Sequence, residues 1–136
     1  MKKVVSALAA VMVMVLAFTS CSAPLSSEFN EQEVVSQATE VVELLSEKKY
    51  DEVCSRFDPV MKQSIADGKA LEKALGEILD SLGAFKSVEK AQTAGSKDSA
   101  GNPIAVAVLV CDFTNKKAVF TISIDKNDKI CGLYVK

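Results

Sequence analysis

The chain has 136 residues, with 16 Lys and Arg against 18 Asp and Glu, four cysteines and no histidine. A net charge of −2 without clustered basic side chains excludes the electrostatic footprint of a nucleic-acid binder. Lack of imidazole excludes histidine acid–base catalysis and leaves a zinc site only thiolates and carboxylates, so neither a metal nor a cofactor is expected.

Lys2 and Lys3 precede an uncharged apolar run, Val4 to Phe18, followed by Thr19, Ser20 and Cys21. That order is the one of an export signal. As a helix the run reaches roughly 22 Å, short of the ~30 Å hydrocarbon layer. It also has no polar face at helical period, which argues against a core helix. Cleavage after Ala23 would leave Pro24 next to the scissile bond, where its fixed φ and missing N–H fit an extended protease-bound strand poorly. Cleavage after Ser20 leaves Cys21 first. Phe18-Thr19-Ser20-Cys21 resembles the lipobox of bacterial lipoproteins, which implies acylation of Cys21. The expected organisation is a signal peptide over 1–20, a lipidated cysteine and tether over 21–29, and one domain over 30–136. The protein is then exported and lipid-anchored on the outer side of the cytoplasmic membrane. The membrane is one partner, and an unknown protein or small molecule the other. Without Lys2 and Lys3 the balance becomes 14 basic against 18 acidic residues, an ordinary solubility charge. About 115 residues suit one small core.

Asn30 is placed as a helix cap, with Glu33 completing a capping box and Phe29 stapling onto Val34. The spacing predicts a helix over 31–47, with Val34, Val35, Ala38, Val41, Val42 and Leu45 on one face. A short helix in YDEVCSRF presents Tyr50, Val53, Cys54 and Phe57. Asp58-Pro59 reads as a cap followed by proline at the first helical position. GKALEKALGEILDSLG forms the last helix, with Leu71, Leu75, Ile78, Leu79 and Leu82 inward and Gly83 as its stop. Gly76 inside it costs roughly 1 kcal/mol relative to alanine, which suggests a close packing partner.

From Phe85 the period changes to that of strands. FKSVEKAQTA alternates, GSKDSAGNP turns, and IAVAVLVCDF is β-branched on both faces, as in a central strand covered on both sides. TNKK and KNDK close hairpins into AVFTISID and ICGLYV. Helices followed by a four-stranded antiparallel meander make an α+β fold.

Three stretches, RFDPVMKQSI, LGAFKSV and GLYVK, together resemble domain-of-unknown-function family 3887, small bacterial domains found as exported lipoproteins or ahead of an α/β-hydrolase domain. The resemblance runs from about Val34 to Lys136. It implies a cystatin-like or nuclear-transport-factor-2-like superfold, with helices in the concave side of a curved sheet. Members often carry Trp where this chain has Leu75. No Gly-x-Ser-x-Gly elbow occurs in the sequence, so no catalytic residue carries over.

The aromatic set Phe57, Phe85, Phe113, Phe120 and Tyr134 is expected between helices and sheet, as filled core or as a ligand pocket. Arg56, the lone arginine, could anchor an anion at its mouth or salt-bridge a surface acid. Asp58 reads as a cap, Asp112 as a strand-end carboxylate, and Tyr50 and Tyr134 as core or rim aromatics. Cys54, Cys111 and Cys131 read as reduced core thiols. The alternative is a single disulfide involving Cys54, because Cys111 and Cys131 on strands flanking a third lie too far apart. A non-enzymatic binding module is the first reading. The alternatives are a small enzyme using Asp or Tyr, and an accessory to a cell-surface hydrolase.

Overall fold

The computed structural model describes residues 23–136. Helix α1 (Glu31–Ser46) is followed by α2 (Tyr50–Ser55), α3 (Pro59–Ser64) and α4 (Gly68–Leu82). Strands β1 (Phe85–Lys97), β2 (Pro103–Phe113), β3 (Lys117–Asp125) and β4 (Ile130–Val135) form an antiparallel sheet in that order. The α+β layout is the one expected.

Local chemistry sets the helix ends. The Asn30 side chain accepts hydrogen bonds from the Gln32 and Glu33 N–H groups, satisfying two donors that have no partner within the helix. At the other end Lys48 takes φ 62, while the Lys48 and Lys49 amides bond back to the Leu45 and Leu44 carbonyls. That is a Schellman stop with lysine in the place glycine usually takes. Asp58 caps α3 through the Met61 N–H at 2.7 Å, with Pro59 in the first turn. Asp67 caps α4 through the Ala70 N–H at 2.9 Å.

The helices cover one face of the sheet. Val34, Ala38, Val41, Val42 and Leu45 of α1 and Leu71, Leu79 and Leu82 of α4 meet Ala105, Ala107, Leu109 and Cys111 of β2 and Phe120, Ile122 and Ile124 of β3. Val35, Leu75 and Ile78, expected on the inward faces, are partly buried against this core. The expectation that β2 is covered on both sides is corrected. Among the described residues no layer lies over the far face, where Ile104, Val106, Val108 and Val110 are half-buried. Their β-branched side chains suit a central pleat and shield one another across it, so the composition did not require a second layer.

Two stretches outside the strands reach the outer edges of the sheet. Ala23 pairs with Gly95 on β1, and its carbonyl accepts the Gly95 N–H at 2.8 Å. Leu25 and Phe29 then pack against the core. On the opposite edge the Arg56 carbonyl accepts from the Ile130 N–H at 2.8 Å, and the Asp58 N–H donates to the Ile130 carbonyl at 2.9 Å. Phe57 and Ile130 thus form a short parallel bridge beside β4.

Candidate functional site

The space between helices and sheet is where sequence alone leaves a choice between core and pocket. Phe85 meets Phe113 edge to face at 5.5 Å, and Phe113 stacks on Phe120 at 6.0 Å. Phe57, Phe113 and Phe120 are 1%, 3% and 0% exposed, so these rings are packed core. What stays open is a cavity of about 280 Å³ at the end of the sheet where β2 stops, lined by Leu45, Leu79, Gly83 and Phe113. Lys48 and Asp80 stand at its rim as an ion pair of 3.1 Å. Of the six residues expected to share a pocket, Phe113 alone borders this one.

Arg56 lies elsewhere, on the surface between α1 and α2. Its two terminal nitrogens donate to the two Glu40 carboxylate oxygens at 2.8 and 2.9 Å. The hydrogen bond with Glu40 pushes the guanidinium pKa up, and the same bond, with the charge of Arg56, holds the Glu40 carboxyl below its usual range. Both prongs of the fork are therefore occupied by an internal carboxylate.

Tyr134 is a correction. It lies opposite Thr121 on the far face of the sheet and is 62% exposed. The pairing slips by one residue between Ser123 and Ile124, so Ile124 meets Ile130 while Ser123 meets Gly132. One extra residue in β4 reverses the alternation, turning Leu133 and Val135 toward the helices and Tyr134 away from them.

The remaining candidates have structural partners. Asp58 is a cap, and Asp112 pairs with Lys86 at 3.6 Å. Tyr50 is buried under α4, and desolvation raises its hydroxyl pKa. Cys54, Cys111 and Cys131 are free thiols. Cys111 and Cys131 stand on β2 and β4 with β3 between them, as expected for a pair that cannot bridge. Burial pushes both thiols up to about 11, with Asp125, Asp58 and Asp98 adding to the effect at Cys131.

A shallow groove of about 500 Å³ runs between the starts of α2 and α4, lined by Lys49, Tyr50, Asp51, Asp67, Gly68 and Glu72 among others. Sequence reading missed the role of Asp51, whose carboxylate accepts the Gly68 N–H at 3.0 Å and so caps α4 from outside that helix. A contact spanning 17 residues leaves no local signal. Among the described residues no group of three or more Cys, Asp or Glu is placed to hold a metal ion, and no helix is long and apolar enough to cross a membrane.

The model of a family described as Protein of unknown function (DUF3887) matches residues 38–133. The NMR structure of a protein from Ruminococcus gnavus ATCC 29149 is similar, with a TM-score of 0.73 at 19% identity, covering 83% of this chain and 96% of that one. At this identity the likeness is one of fold. No curated protein matches.

Proposed function

We propose that this chain, which belongs to the DUF3887 family of proteins of unknown function, acts as a membrane-tethered extracytoplasmic binding module rather than as an enzyme. The observation that carries the reading is the chemistry of the interior. Among the described residues no charged side chain is buried, and the titratable groups in the buried set are the Tyr50 hydroxyl and the Cys54 and Cys111 thiols. A pocket enzyme places a perturbed acid or base in its cavity beside a partner group. Tyr50, its pKa raised by burial at the wall of the shallow groove, stands apart from Asp58, Asp112 and Tyr134. The carboxylates held low here, Glu40 and Asp98, are instead exposed and engaged by hydrogen bonds, from Arg56 and Asn102 respectively. The Asp and Tyr candidates for an enzyme site are a cap, an ion-pair partner, a core ring and an exposed ring, and nothing brings them together.

The anchoring half of the reading rests on the sequence around Cys21, which lies outside the described residues. The binding half rests on two features, the apolar mouth under Lys48 and Asp80 and the uncovered sheet face. Fractionation of cells carrying the full chain or its Cys21→Ser variant tests the first. Membrane association is expected for the native chain and release for the variant, and equal retention of both would overturn the anchor. Native mass spectrometry of the gently purified protein tests the second. A reproducible extra mass identifies a small ligand, and loss of that mass on Leu79→Trp places it in the mouth. A bare mass directs the search to protein partners at the cell surface.

A further inference from the structure

Ala23, the first described residue, is held at the outer edge of β1 by its contact with Gly95. The bridge is antiparallel, and Gly95 stands two residues before the end of β1 at Lys97, so Ala23 is held close to the β1–β2 turn at 98–102. The strap is seated closely. A Cβ on Gly95 would collide with the Pro24 carbonyl oxygen, and Leu25 and Phe29 are packed against the core just beyond. Cys21 is two residues ahead of Ala23, and two residues of extended chain span at most roughly 7 Å.

From this we infer that the domain is docked on the lipid surface in one orientation, with the end carrying the β1–β2 and β3–β4 turns against the headgroups and the cavity at Phe113 facing outward. The inference rests on the proposed anchoring through Cys21. The two turns lie at the same end of the sheet, since Lys97 pairs with Pro103 and Ile104 pairs with Asp125. The carboxylates of this end are turned onto their own backbone or onto a neighbouring side chain. Asp98 accepts from the Ala100 and Asn102 amides at 2.9 and 2.8 Å, Asp125 from the Asn127 and Lys129 amides at 2.8 and 3.0 Å, and Asp128 from the Gln37 side chain at 3.2 Å. Lys97, Lys126 and Lys129 at this end are exposed and outside the ion pairs found among the described residues. With Asp98, Asp125 and Asp128 beside them the end carries no net charge, so the position of the anchor rather than electrostatic attraction sets the orientation. A lipid anchor within roughly 7 Å of a pinned strand leaves little room for the other end to approach the same surface.

Cysteines introduced by Ala100→Cys and by Lys116→Cys, in turns at opposite ends of β2, give two fluorophore positions roughly 35 Å apart. Each is carried on the full chain in vesicles containing spin-labelled headgroups. Quenching severalfold stronger at residue 100 than at residue 116 is expected. Equal quenching of a membrane-held chain overturns the orientation while leaving the anchor intact, and failure of the chain to associate with the vesicles overturns the anchor and the orientation together. Gly95→Ala, added to each labelled chain, dislodges the strap and is expected to bring the two signals closer while attachment persists. A difference unchanged by Gly95→Ala in a strap shown to be displaced by proteolysis overturns the role of the bridge.

Discussion

Cys111 and Cys131 show how burial turns a side chain's chemistry into a pH dependence. Their folded pKa, about 11, stands above the ordinary value of 9.0 because burial penalises the thiolate. The folded state therefore holds its protons where the unfolded chain has begun to lose them. The contribution to stability is fully present below pH 9 and is lost as pH rises toward 11. A melting temperature that falls over that window is expected, with a shallower fall in Cys111→Ala than in the native chain, as followed by circular dichroism. An unchanged slope in Cys111→Ala would assign the alkaline loss to other groups. Cys111 is also expected to resist alkylation at pH 8 unless denaturant is added. Phe120, fully buried at one end of the aromatic stack, leaves a large gap when truncated. Phe120→Ala is expected to cost about 3–5 kcal/mol in urea unfolding.

Gly76 inside α4 and Gly83 just past its end make opposite predictions. The tight packing expected around Gly76 is not what α4 shows, because an added Cβ would meet Glu72 Cγ at 3.4 Å and Tyr50 Oη at 3.8 Å, which are ordinary contacts. Gly76→Ala is therefore expected to stabilise the domain by roughly 1 kcal/mol, read as a melting temperature a few degrees higher. Gly83, seven residues on, has φ 83 and ψ −152, a conformation for which glycine is suited and other residues are not. An added Cβ there would also collide with Thr114 Oγ1. This hydroxyl accepts the Ala84 N–H at 2.9 Å, while the Thr114 and Asn115 amides bond to the Ala84 and Leu82 carbonyls. Gly83→Ala is expected to destabilise by more than the about 1–3 kcal/mol of the backbone strain alone.

The helix starts were legible because caps act within three residues, as at Asn30 and Asp58. The hairpins were legible because their turn residues stand between alternating runs. The facing of Tyr134 was not, since strict alternation from Ile130 points it inward and only the pairing with β3 reveals the extra residue. The pairing of Arg56 and Asp58 with Ile130 escaped for the same reason, being a contact between stretches remote in sequence. Of the candidate pocket, the four phenylalanines were placed correctly between the layers and Tyr134 was set there without a neighbour to fix it, while Arg56 forms the surface salt bridge that was one of its two readings.

At the scale of the whole molecule, a single helical layer covers a single sheet, leaving the far face with half-buried Ile104, Val106, Val108 and Val110. The stretch read from sequence as a free tether takes part in this assembly through Ala23, Leu25 and Phe29. Shortening the chain to begin at Asn30 removes those contacts. Such a protein is expected to melt at lower temperature than one beginning at Ser22, and a scan of the two side by side decides the matter.

The strap at Gly95 and the bridge at Ile130 also bear on how copies behave when crowded. A sheet that ends in long bare strands offers each neighbour a template. Here each outer strand is met at one residue by a piece of its own chain, Gly95 of β1 by Ala23 and Ile130 of β4 by Phe57. The same few hydrogen bonds that hold the fold together thus shorten the open edge with which a neighbouring copy could pair.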